Sequence, residues 1–122
     1  NANPDSMRAS LSTFAALDVA GARIAVLGDM GELGSFAPQL HEEVGAFAAS
    51  CGLDRLICVG QLAQGIAAGA QKAGMPADRI AMVADGAAAL ADVREHVAPG
   101  SAVLVKASHF MALEKVVEGL DE

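Results

Sequence analysis

Residues 27–34, LGDMGELG, set two carboxylates, Asp29 and Glu32, among three glycines at the end of an apolar run. A strand running into glycines and then into a helix is the outline of a nucleotide-phosphate turn. The spacing does not fit one, because Gly28, Gly31 and Gly34 follow GxxGxxG, whereas the pyrophosphate turn needs GxGxxG. The next apolar run, RLICV, ends at Gly60 and Gln61, so no acid stands ready for a ribose hydroxyl. Independent dinucleotide binding is therefore not expected. Two readings of Asp29 and Glu32 stay open: a binding loop, or solvated carboxylates on a flexible connection.

A second stretch, VKASHFMALEKVV at residues 105–117, ends a strand-like run at Lys106 and opens a helix with Ser108 and His109. A lysine at a strand mouth beside helix amides can meet an anion. It can equally be an exposed lysine next to an ordinary N-cap. The N-terminal NANP offers Asn1 and Asn3 as donors to a phosphate or carboxylate, although Asn before Pro is also a common helix start. His41 lies in a helical run, HEEVGAFAA, and is expected to face the preceding loop or the surface and to be non-catalytic. His96 falls near a helix end, where a cation suits the dipole. There is no GxSxG, HExxH or GxxxxGK[ST] pattern, so neither a serine elbow, a zinc-protease helix nor a P-loop is encoded.

The elements that must position these residues alternate along the chain. Helices are predicted over residues 4–17, 38–51, 61–73, 87–97 and 110–120. Strands are predicted over residues 23–27 (RIAVL), 55–59 (RLICV), 79–83 (RIAMV) and 102–106 (AVLVK). Met7, Leu11, Phe14 and Ala15 follow helical spacing in the first helix. The strands are apolar without period-2 alternation, the pattern of a parallel sheet covered on both faces. Strands alternating with crossover helices predict a three-layer, Rossmann-like α/β domain with a mostly parallel sheet. Function in such sheets sits beyond the carboxyl ends of the strands. Here those ends are residues 28–34, 60–61, 84–86 and 106–109.

Composition bounds the rest. A length of 122 residues suits one domain. Apolar residues make up 53% and aromatics only 3%, so Ala, Val, Leu and Ile must build the core. Eight basic residues against fifteen acidic ones give a net charge of −7. With no cluster of Lys and Arg to neutralise phosphates, nucleic acid is not an expected partner. Cys51 and Cys58 form neither a CxxC nor a His-containing cluster, and read as buried free thiols in a reducing cytoplasm. No apolar run approaches the ~20 residues of a membrane span, and NANPDSMR is not a signal peptide. The absence of an initiating Met suggests a fragment or a processed product.

Taken in series, NANPDSMRASL, IAVLGDMGELG followed by HEEVG, and LVKASHFMALEKVVEGL resemble the C-terminal domain of the Mur ligases across nearly the whole chain. The pattern is most similar to the branch that adds D-alanyl-D-alanine to UDP-N-acetylmuramoyl-tripeptide. The resemblance implies a three-domain cytoplasmic enzyme. Its missing N-terminal and central domains would hold the UDP-sugar, ATP and Mg2+, and this Rossmann-like domain would close over the site. It also implies that ATP phosphorylates the tripeptide carboxylate and that the dipeptide amine attacks the acyl phosphate. No catalytic residue, metal ligand or cofactor is then expected in the fragment itself. Carried over by position, Asn1 and Asn3 fall in the family's DSYNANP motif, which would face the nucleotide when the domain closes, and Asp29 and Glu32 fall in its GDMxELG loop at the interdomain cleft. Lys106, Ser108, His109 and Phe110 fall in its KGSR-type segment, near the acyl phosphate and the incoming dipeptide. Ala107 stands where glycine is usual, and His109 where arginine is usual. The histidine keeps a donor but only part of the charge, with a reference pKa of about 6.5.

The resemblance further implies that a strand before Asn1 is missing, leaving a sheet edge bare and the fragment prone to self-association. Two alternatives belong to other classes. A receiver-type signalling domain would need an acidic pair after the first strand and a phosphorylatable Asp; the second is a free-standing α/β interaction module.

Overall fold

The computed structural model describes residues 3–106. Helix α1, Pro4–Ala15, starts where the sequence places its cap. The Asn3 Oδ1 accepts from the Ser6 N–H at 2.9 Å, and the Asn3 N–H donates to Ser6 Oγ at 3.1 Å. Pro4 fits the first helical position because its missing N–H would have had no partner there. Then come β1 (Arg23–Gly28), α2 (Ala37–Ala49), β2 (Arg55–Val59), α3 (Gln64–Lys72), β3 (Ile80–Val83), α4 (Gly86–His96) and β4 (Ala102–Lys106). Short 3-10 turns at Gly34–Phe36 and Ala77–Arg79 lead into α2 and β3.

All strand pairs are parallel, in the order β3-β2-β1-β4. One face of the sheet presents Ala25, Leu27, Leu56 and Cys58 to Met7, Leu11 and Phe14 of α1, Val44 and Ala48 of α2, and Ile66, Ala67 and Ala70 of α3. The other presents Ile24, Val26, Ile57 and Val59 to Ala89 and Val93 of α4. Chain order therefore winds from β1 outward to β3 with helices on one face, then returns across the other face to β4. This is the predicted three-layer α/β architecture.

Burial on both faces holds for β1 and β2 only. β3 is half-buried with Met82 exposed, and β4 is half-buried throughout. Among the described residues both are edge strands, each paired on one side only. Several element limits shift from the sequence reading by one to three residues. α3 starts three residues later than predicted, and Arg79 ends a 3-10 turn rather than starting a strand. The helix predicted over residues 110–120 lies outside the described residues. No helix among the described residues is long and apolar enough to cross a membrane.

The closest packing is between α2 and α3. A Cβ on Gly45 would stand 1.9 Å from the Ile66 carbonyl oxygen, and one on Gly69 would stand 2.0 Å from that of Glu42. Only glycine permits backbones this near. At the amino ends of the strands, Arg55 Nε and Nη2 form a two-point bond to Asp92 Oδ1 and Oδ2 at 2.9 and 2.8 Å, tying β2 to α4. That guanidinium holds the Asp92 carboxyl below the usual range, with His96 assisting.

Candidate functional site

In an open parallel sheet a crevice forms at the carboxyl ends of the strands where the strand order reverses. Here that point lies between β1 and β4. β1 leaves through α2, and β4 is entered from α4 on the other face. The register pairs Leu27 with Lys106, so the last residue of β4 lies beside the end of β1, two residues before Asp29. Parallel neighbours are about 4.8 Å apart, which brings the acidic loop and the strand-end lysine to one mouth.

The loop after β1 is held at several points. Asp29 Oδ1 accepts from the Ala63 N–H at 2.7 Å, ahead of α3. The Met30 side chain is buried in the core, and its N–H donates to His41 Nε2 at 2.9 Å. His41 Nδ1 lies 2.6 Å from the Ala37 carbonyl oxygen, and the ring is fully buried. A backbone N–H can only donate and a carbonyl can only accept, so the proton is on Nδ1 and Nε2 is the acceptor. Glu32 is exposed and takes the left-handed conformation, φ 61°, followed by Gly34 at φ 58°. A non-glycine residue there costs about 1–2 kcal/mol, which the anchors on either side must offset.

These contacts exclude the reading of Asp29 as a solvated carboxylate. They also fill an anion site. The N–H groups at the start of a helix attract negative charge, and at α3 the protein's own Asp29 meets it. At α4 the same position is taken by Asp85, whose Oδ1 accepts from the Ala88 N–H at 2.9 Å. Among the described residues no three His, Cys, Asp or Glu side chains converge on a metal position.

Asn3 lies toward the same end of the sheet. Just beyond α1 the Leu17 carbonyl accepts from the Arg23 guanidinium at the start of β1, and Thr13 and Leu17 lie beside Ala102 at the start of β4, so the first turn points back toward the strand mouths. The cap occupies Oδ1 of Asn3 and leaves its Nδ2 amide as the donor. Asn1, Ser108, His109 and Phe110 lie outside the described residues.

His41 faces the preceding loop, one of the two placements expected, and is buried rather than on the surface; its contact with Met30 went unread. The signal was present: Ala37, His41, Val44, Gly45 and Ala48 share one buried helical face. The two thiols are free and buried, as the sequence implied. Burial pushes Cys58 up to about 12 and raises Cys51 as well.

Residues 1–109 match the family model of the Mur ligase glutamate ligase domain. The chain belongs to the Mur ligase family. It is 37% identical over 122 residues to the UDP-N-acetylmuramoyl-tripeptide--D-alanyl-D-alanine ligase of Bacillus subtilis, a match covering 100% of this chain and 26% of that protein. The MurF crystal structure from Acinetobacter baumannii superposes with a TM-score of 0.82 at 31% identity, over 98% of this chain and 26% of the other. MurF from Thermotoga maritima in complex with ADP gives 0.77 at 27% identity, over 99% and 26%. The Mur ligase domain thus spans about a quarter of the length of these relatives. The receiver-type and free-standing readings find no support beside this match.

Proposed function

We propose that this Mur ligase C-terminal domain is the closing, substrate-positioning part of a cytoplasmic ATP-dependent ligase. The enzyme would join D-alanyl-D-alanine to UDP-N-acetylmuramoyl-tripeptide in peptidoglycan precursor synthesis. The observation that carries the reading is the meeting of the Asp29–Glu32 loop and Lys106 on adjacent strands at the sheet's switch point. The names and lengths of the relatives support it.

In the proposed reaction the terminal phosphoryl group of ATP passes to the tripeptide carboxylate, giving ADP and an acyl phosphate. The dipeptide amine then forms the new C–N bond, the C–O bond to phosphate breaks, and the amine sheds a proton. Both steps gather negative charge on phosphate oxygens. A cation aligned with that charge favours the transition state, and a closed domain aligns the amine. Lys106 is assigned the first role, and the second belongs to the strand mouth as a whole, with Asn1 and Asn3 toward the nucleotide, Asp29 and Glu32 at the interdomain cleft, and Ser108, His109 and Phe110 near the acyl phosphate and the incoming dipeptide. The described residues do not fit a Mg2+ or triphosphate site. Asp29 is occupied at α3, Asp85 at α4, and no ligand cluster is present. We therefore assign the nucleotide and metal mainly to the central domain of the enzyme. Neither nucleic acid nor membrane is a proposed partner; the isolated chain is proposed to self-associate.

Lys106→Ala in the full-length enzyme is expected to lower turnover by about 10²–10³-fold with little change in melting temperature. An unchanged rate with a lowered melting temperature would make the lysine structural.

A further inference from the structure

We infer that His41 is a positioning residue for the ligase reaction: through its bond to the Met30 amide it holds the Asp29–Glu32 loop in the shape that the closed enzyme uses. The inference rests on the proposed function, because it assumes that the loop faces the reaction centre.

The geometry is specific. The ring is fully buried, and both nitrogens are engaged with backbone, Nδ1 with Ala37 one turn earlier and Nε2 with Met30 across the loop. The bond to Ala37 lies within the helix and fixes the ring's orientation and tautomer. The bond to Met30 is the one that reaches out of the helix. Met30 sits between the two loop carboxylates, so fixing its amide sets the chain direction on both sides. Asp29 is then carried to Ala63 at 2.7 Å, and Glu32 is left exposed in a left-handed conformation that it would otherwise avoid.

The ring is also backed by α3. A Cβ on Gly65 would stand 3.0 Å from the His41 Cβ, so there is little room for the ring to move away. His41, Gly65, Ala63, Asp29 and Met30 thus form a closed circuit joining α2, α3 and the loop. An ordinary core histidine would need partners for its nitrogens, but it would not need one of them on the only segment that carries the candidate acidic residues. A filled, apolar position would stabilise the helix face equally well while leaving the Met30 N–H without an acceptor, a costly state for a buried amide.

The test uses the full-length enzyme with three variants. His41→Leu keeps side-chain volume and removes the acceptor. His41→Gln restores an amide oxygen for Met30 and an N–H for Ala37. His41→Ala reports the cost of the cavity. Hydrogen exchange followed by mass spectrometry on peptides covering residues 28–34 reads the loop directly. Steady-state kinetics on ATP, UDP-muramoyl-tripeptide and D-alanyl-D-alanine reads the consequence. His41→Leu should raise loop exchange at least tenfold and lower kcat at least tenfold, with KM for ATP within twofold of wild type. His41→Gln should recover most of both losses. A purely structural role would lower the melting temperature of all three variants without this split or rescue.

Loop exchange unchanged in His41→Leu would overturn the positioning role. Faster exchange with unchanged kcat would also overturn it, since the loop shape would then not matter to the reaction. If the wild-type enzyme fails to join these substrates, the proposed function is wrong, and the coupling to ligation falls with it. The exchange experiment still decides whether His41 holds the loop.

Discussion

The two flanks of the sheet are built to different standards. On the side of β1, β2, α2 and α3 the strands are fully buried, two helices touch backbone to backbone at Gly45 and Gly69, and the loop after β1 is fastened to both helices. On the side of β4 and α1 the strand is half-buried. An open groove of about 490 Å³ runs between them, lined by Phe14, Leu17 and Leu104 among others. The candidate site lies on the seam, with Asp29 and Glu32 held by the rigid flank and Lys106 by the loose one. A rigid wall can fix the position of a charge to a fraction of an ångström, whereas a strand with one free edge can adjust to whatever docks beside it. The proposed closing role calls for both properties, and the two flanks supply them separately.

The largest effect should come from breaking the rigid flank at its tightest point. Gly45→Ala sets a methyl group 1.9 Å from the Ile66 carbonyl oxygen, a backbone atom that cannot step aside without moving α3. Overpacking typically costs 1–3 kcal/mol and occasionally more, and here about 3 kcal/mol or loss of the fold is expected in urea denaturation. Gly52→Ala is the control. Gly52, unlike the helical Gly45, is at positive φ, 70°, but nothing lies within 4 Å of its would-be Cβ, so only the backbone term of about 1–2 kcal/mol applies. Equal losses in the two variants would show that the helix contact is not close-packed in solution.

The Arg55–Asp92 pair comes next. Its side chains are 16% and 14% exposed, and the bond is two-pointed. Asp92→Asn keeps the shape and removes the charge, so a loss of about 1.5–3 kcal/mol is expected. The Asp92 carboxyl is held below its ordinary value, chiefly by the Arg55 hydrogen bonds. In the unfolded chain it titrates near 3.9, so the folded state binds the proton less readily. The stabilisation is complete above that pH and fades as pH falls toward the lower folded value. Chemical denaturation from pH 6 to pH 2.5 should show wild type losing its advantage over Asp92→Asn at the acid end. A constant gap across that range would mean that the carboxylate is unperturbed.

How far the sequence disclosed all this depended on where each partner lay. Local signals were sufficient for the β-runs: residues 55–59 and 102–106 are strands with the predicted limits, and Asn3–Pro4 caps α1 as read. The start of α3 was misread because its cap comes from Asp29, in the loop after β1 rather than beside the helix. Propensity cannot report a cap that arrives from another part of the chain. Which strands form the edges among the described residues was also hidden, since an apolar run does not disclose how many neighbours it will have. The loop motif singled out residues 27–34, but why that loop keeps its shape became visible only with Met30, His41 and Gly65 in contact range.

The smallest effect concerns the loose flank and bears on what it can accept. Among the described residues β4 pairs with β1 alone. The Ala102 N–H donates to the Ala22 carbonyl on the β1 side at 2.9 Å, so alternation turns the N–H groups of Val103 and Val105 toward the open edge. An unpaired edge flanked by an apolar groove templates pairing with another chain. Such pairing offers few hydrogen bonds and no large buried area, so association of the isolated chain should be weak, with a dissociation constant above about 10 μM, or less than about 7 kcal/mol. Light scattering across a concentration series should show a rising mean mass, and hydrogen exchange should slow at residues 102–106 as association proceeds. Val103→Pro removes one outward N–H and leaves the ladder to β1 intact, so it should shift the series toward monomer. Gly45→Ala, by contrast, should lower stability without changing the edge. A strictly monomeric chain whose β4 amides exchange as slowly as those of β2 would mean that the flank is closed in solution, and the contrast between the two sides would fail there.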